Sequence, residues 1–229
     1  SGRTDAGVHA LSQVANFKTQ CPIPCGNLVK ALNDIMPPSV RVKEAAEVRA
    51  DFHARYHAKS KTYRYRIHQG AVCSPFLWRF VYHYPFPLDC KAMAEGARLF
   101  EGEHDFTSFA AAESKESEVR SQESEDSPSA DGRNSEFRIR NPKAPGTPMV
   151  RKILTSRLVA RPRTSMLVYD VRGTGFLHHM VRNMVGTLME VGRGKLAPAD
   201  VTRILAACDR TLAGPTAPAQ GLCLVKVEY

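Results

Sequence analysis

Apolar residues recur along this chain with two periods, and the switch between them marks out most of its elements. From Lys61 to His68 the period is two. Tyr63, Tyr65 and Ile67 share one face and Thr62, Arg64, Arg66 and His68 the other, which predicts a strand with one buried side. Ile153 to Ala160 and Ser165 to Val171 read as paired strands around Arg161, Pro162 and Arg163. Gln13 to Thr19, Val40 to Val48 and Leu222 to Val227 read as further strands. Elsewhere the spacing lengthens to three and four. Asn27 to Ile35 predicts a short helix with Leu28, Val29, Leu32 and Ile35 on one face, ended by Pro37 and Pro38. Leu88 to Phe100 predicts a second, with Asp89 as its N-cap. Gly175 to Val191 carries the clearest helical stripe: Phe176/Leu177, Met180/Val181, Met184/Val185 and Leu188/Met189. Arg182 stands off that stripe. Gly186 inside it weakens the helix by up to ~1 kcal/mol relative to Ala, which implies close packing against a neighbour. Ala199 to Cys208, entered at Pro198, predicts a last helix. Strands interleaved with helices give an α/β or α+β fold.

Composition adds a partner class. The 229 residues can bury a sizeable core as one large domain or two small ones. At 43% hydrophobic and 24% charged they match ordinary soluble globular chains, and no apolar run reaches the roughly eighteen residues of a membrane span. Net charge is +9. Between Glu113 and Asn134 lie seven acids and three bases, a local −4, so the rest of the chain carries +13. That basic remainder points to a polyanion, with nucleic acid the leading class. The acidic stretch is rich in Ser and Glu and poor in bulky apolar residues, which predicts a disordered insertion near residues 113 to 149. Six cysteines are Cys21, Cys25, Cys73, Cys90, Cys208 and Cys223. Cys21 and Cys25 have no second pair at zinc-ligand spacing. Cys208 and Cys223 fall in apolar patterns and read as small core residues, and reduced thiols fit an intracellular chain of this size.

The candidate chemistry lies in the first ten residues, SGRTDAGVHA, where Asp5 sits between Gly2 and Gly7 with Arg3 two positions before it. A lone carboxylate on such a turn, beside a cation that favours its ionised form, suits a pocket. It also suits a plain surface turn. The GRTDAGVHA segment resembles the signature loop of the TruA family of tRNA pseudouridine synthases. Three more segments fall in that family's order: KTYRYRI from Lys61, GFLHHMVRNMVGTLMEVGRG from Gly175, and the closing GLCLVKVEY. DFHARYHAKSK, HDFTSF and DRTLAGPTAPAQGL fill the intervals. The resemblance covers nearly the whole chain apart from the stretch near residues 113 to 149.

This resemblance implies the pseudouridine synthase fold: two related sheet-plus-helix halves with a basic cleft between them. Residues 1–53 would be the remnant of the N-terminal half and 54–229 the C-terminal half. Family members carry a strand and a helix before the signature loop, so the sequence is expected to be truncated at its N-terminus. A targeting segment there would be out of view, and the expected location is cytoplasmic. The implied activity is isomerisation of uridine to pseudouridine in the anticodon arm of tRNA, by a homodimer, with neither cofactor nor metal. Asp5 is the implied catalytic carboxylate and Arg182 its salt-bridge partner. Tyr63 would stack on the base and take its ring proton, and Leu224 would close the pocket. Arg3 would compete for Asp5 or hold the space of the flipped nucleotide. Arg64, Arg66, Lys59, Lys61, Arg161 and Arg163 are candidate phosphate contacts; His178 and His179 adjoin Arg182, which suits a phosphate contact or a supporting position behind it, and equally suits exposed or hydrogen-bonded helix residues. Two other classes remain on the residues alone: a non-catalytic RNA-binding module on the same fold, and an aspartate-dependent hydrolase of a small phosphorylated ligand.

Overall fold

A computed structural model describes residues 1–111 and 149–229 of the chain; the expected insertion near 113–149 lies outside the described residues except at its last position. The architecture is one mixed sheet with helices. In chain order the elements are β1 (His9–Ala10), α1 (Cys25–Ile35), β2 (Ser60–His68), β3 (Tyr82–His83), α2 (Cys90–Arg98), β4 (Gly102–Asp105), β5 (Val150–Arg161), β6 (Met166–Gly173), α3 (Met180–Gly192), α4 (Asp200–Ala207) and β7 (Leu222–Glu228). The strand order is β1-β7-β2-β6-β5-β4, with β3 added beside the end of β2. β1 runs parallel to β7 and β3 to β2, and the other neighbours are antiparallel.

Period two in β2 decides how the sheet is used. Tyr65 and Ile67 are buried with Leu167, Tyr169 and Val171 of β6 and Ile153 of β5, under the apolar sides of α2 and α3. The alternate residues form the other face. There Arg64 donates to both oxygens of Asp170 at 2.7 and 3.0 Å, while Arg172 and Ser60 both bond Glu228. Asp89 caps α2 by accepting from Lys91 and Ala92 at 3.0 and 2.9 Å. The hairpin at residues 162–164 turns where the Arg-Pro-Arg segment predicts it.

Four expectations need correction. Gln13–Thr19 and Val40–Val48 form no strand: alternation supplies a face but not the neighbouring ladder a strand needs, and Phe17, Val40 and Val48 are exposed. The third helix begins at Met180 rather than Gly175, because His179 adopts a left-handed conformation with φ of 59°. Residues 176–179 are thereby freed to line a cavity. Cys208 is an exposed thiol at the C-terminus of α4, also left-handed, and not a core residue; all six cysteines are free. Gly186 behaves as its position in the stripe implies. A Cβ there would lie 1.6 Å from the carbonyl oxygen of Pro215, so only glycine lets residues 213–217 cross α3.

Candidate active site

Asp5 is placed by a turn and two tethers. Val8 N donates to Asp5 O at 3.1 Å, and Leu11 N bonds Leu224 O at 2.8 Å, fixing the end of the loop to the edge of the sheet. Gln13 Nε2 donates to Gly2 O at 2.8 Å on the other side. Gly2 and Gly7 both take positive φ, 87° and 80°, which Gly adopts without the Cβ penalty. The Asp5 side chain is 18% exposed and turns toward the N-terminus of α3. An anion there gains from the unsatisfied amides and the helix dipole.

Arg182, in the first turn of α3, donates from Nη1 to Asp5 Oδ2 at 3.0 Å and from Nε to Ala217 O at 2.8 Å. One guanidinium thus joins the carboxylate to the 213–217 crossing. Those residues are held in turn by Asn183 and Arg210. Thr216 Oγ1 donates to Asn183 Oδ1 at 2.6 Å, Arg210 donates to the same oxygen at 3.1 Å, and Gly214 N donates to Thr187 Oγ1 at 2.9 Å. The His178 and His179 rings stack at 3.9 Å, and their Nε2 atoms lie 3.4 and 3.3 Å from Asp5 Oδ1 and Oδ2. Burial, with His178, Arg182 and Arg210 nearby, lowers the His179 pKa despite the pull of Asp5. These two nitrogens and the carboxylate are close enough to share a metal ion, although any ion there competes with Arg182 for Oδ2.

Around Asp5 opens a cavity of about 560 Å³, within the size range that takes a drug-sized ligand or a single nucleotide. Its lining is part apolar and part basic: Tyr63, Phe176, Leu177 and Leu222 on one hand, Arg3, Arg55, Lys61 and Arg182 on the other. Asp5 supplies its carboxylate. Tyr63 and Phe176 meet edge to face at 5.1 Å and 81°. Burial and the nearby Asp5 charge push the Tyr63 phenol up to about 12, so it keeps its proton through the neutral range.

The structure therefore brings Asp5, Tyr63, Arg182, His178, His179 and Arg3 to one cavity. It does not pair Arg3 with Asp5; the guanidinium on Asp5 is that of Arg182. Arg64 is turned to the other face of the sheet, where Asp170 holds it. Arg66, Arg161 and Arg163 also lie away from the lining. Leu224 is fully buried, paired in register with Tyr63, and Leu222 is the β7 residue that reaches the cavity. Arg55 and Phe176 escaped the sequence reading. Phe176 was absorbed into a helical stripe that starts later than expected, and Arg55 lies in a segment with no period at all.

A family model described as tRNA pseudouridine synthase matches residues 97–229. The tRNA pseudouridine synthase A of Solibacter usitatus is 48% identical over 229 residues, covering all of this chain and 80% of that protein. That of Moorella thermoacetica is 43% identical over 229 residues, with 80% of its length covered. That of Limosilactobacillus fermentum is 42% identical over 229 residues, with 77% covered. Fold and similarity define an isomerase. The chain belongs to the tRNA pseudouridine synthase family.

Proposed function

We propose that this chain converts uridine to pseudouridine in the anticodon stem-loop of tRNA, with Asp5 as its essential carboxylate. The observation that carries the reading is the Asp5–Arg182 pair, 3.0 Å apart in the wall of a nucleotide-sized cavity with an aromatic side. In the reaction the bond from ribose C1′ to uracil N1 breaks and the base turns. A bond from C1′ to C5 then forms, the C5 proton leaves and N1 is protonated. The change is an isomerisation with no net oxidation or group transfer. Asp5 would act at the ribose, as a nucleophile or as a base. Arg182 holds it aimed with a planar fork that a lysine does not offer. Tyr63, Phe176 and Leu222 give the everted uracil an apolar slot, and the Tyr63 hydroxyl, which carries its own proton at neutral pH, would relay the ring proton, giving one to N1 and taking the one that leaves C5. Extruding the base costs a few kcal/mol, which contacts to the RNA backbone offset.

The anticodon arm follows from the four-motif resemblance, as does a cytoplasmic homodimer with one tRNA touching both copies; sedimentation at assay concentration is expected to give twice the chain mass. The reading is tested with an unmodified tRNA transcript and a twin whose anticodon-arm uridines are replaced by cytidine. Pseudouridine is expected in the first, confined to that arm, and none in the second. A non-catalytic RNA-binding module would bind both transcripts equally and modify neither.

A further inference from the structure

The cavity holds more positive charge than its own residues neutralise. Asp5 is engaged by Arg182 and the two imidazoles. Arg55 and Lys61 line the same space, and among the described residues neither forms an ion pair with a carboxylate. The contrast with the opposite face of the sheet is direct. There Arg64 pairs with Asp170, and Arg172 and Lys226 share Glu228, while Arg66 has no carboxylate partner among the described residues. Lys61 and Arg64 sit on one strand, three residues apart, yet only Arg64 has its counter-charge built in. Lys61 is also half-buried, and its Nζ lies 3.5 Å from where a Cβ on Gly2 would stand. Burial and the Arg55 charge lower its pKa. Holding two like charges in one cavity, one of them half-buried, costs stability unless an anion joins them.

We propose that Arg55 and Lys61 form a phosphodiester-binding site on the cavity wall, gripping an RNA backbone phosphate next to the everted nucleotide. The inference rests on the RNA-modifying reading above and adds the site that holds the strand. The chemistry favours a phosphodiester over a carboxylate. Arg55 offers a flat fork for two phosphate oxygens, and Lys61 a point charge for the same group. Each phosphate gripped releases condensed counterions. The anion also offsets the repulsion between the two side chains, so Lys61 becomes easier to protonate when RNA is bound.

The test measures binding of a tRNA transcript by the full chain across 50–200 mM salt, about a fourfold range over which counterion release is resolved, for the native sequence, Arg55→Gln, Lys61→Met and Lys61→Arg. Each neutral variant is expected to weaken binding about tenfold and to lower the slope of log Kd against log salt by about one. In turnover assays the loss should fall on KM more than on kcat. Lys61→Arg should keep the slope. It should also lessen the weakening of binding that the native chain shows as pH rises from neutral toward 10, where the Ser1 ammonium facing the pair titrates as well, because arginine stays charged there. Arg55 is exposed, so its variant serves even if Lys61→Met fails to fold. Unchanged Kd and slope in folded Arg55→Gln and Lys61→Met overturn the site. A native chain that binds tRNA with the expected slope but makes no pseudouridine overturns the catalytic reading instead and leaves this site standing.

Discussion

Arg182 is fixed from two sides, by Asp5 at 3.0 Å and by the Ala217 carbonyl at 2.8 Å, and that double hold is what a lysine loses. Arg182→Lys retains the charge but reaches only one partner, so kcat is expected to fall about 100-fold, the scale on which small misplacements of a catalytic group act, while tRNA affinity changes little. Single-turnover assays and binding measured on the same preparation check this. Tyr63→Phe keeps the ring and its contact with Phe176 but removes the hydroxyl. A loss of about 10²-fold or more in kcat is expected if the phenol handles a proton, and a change below about threefold would reduce Tyr63 to a stacking surface. At this scale the motif residues were legible because chemistry and spacing coincided in them. Arg64 shows the limit. Alternation puts it on a polar face, but the carboxylate that occupies it, Asp170, is 106 residues away in sequence. A strand's period does not reveal which of its charges is already paired. Leu224 and Leu222 illustrate the same gap, since both fall on one side of β7 and only the packing decides which meets the cavity.

Among the elements, α3 and the 213–217 crossing act as a single unit. Gly186 admits the Pro215 carbonyl, Asn183 and Thr187 tie the crossing down, and Ala217 then receives Arg182. Gly186→Ala drives a methyl into backbone that has no room to yield. A loss of at least about 2 kcal/mol is expected, as for an overpacked core, with a fall in kcat because the support of Arg182 shifts. Chemical denaturation and turnover of the same variant test both. The packing role of Gly186 was readable from a glycine inside an apolar stripe. The late start of α3 was not, because a left-handed His179 carries no sequence signal. Nor was the absence of strands at 13–19 and 40–48, since pairing depends on partners that lie elsewhere along the chain.

For the whole molecule, the two faces of the sheet differ in how their charge is met: on one, Asp170 and Glu228 take up Arg64, Arg172 and Lys226 across β2, β6 and β7, and the other side's cavity stays basic. Hydrogen bonds from Lys226 and Ser60, with Arg172 beside them, hold the Glu228 carboxyl down to about 2, from an ordinary value of 4.5. A folded pKa below the unfolded one contributes stability that is present above pH 4.5 and is lost as pH falls toward 2. Glu228→Gln is therefore expected to flatten the acid limb of melting temperature against pH in that window, leaving the slope above pH 5 unchanged. The mixed sheet-and-helix class and a polyanionic partner were legible from periodicity and net charge; how the charge is met on each face required the pairing of strands far apart in sequence. The measurement that bears most directly on the whole account is pseudouridine formed by Asp5→Asn on a tRNA transcript, alongside the binding of that transcript. The substitution preserves shape and removes the anion that Arg182 holds. Loss of product by at least about a thousandfold, the residual set by what triad-type deletions leave, with affinity within threefold of the native chain, is the predicted result. Turnover at the native rate by a folded Asp5→Asn protein would contradict it.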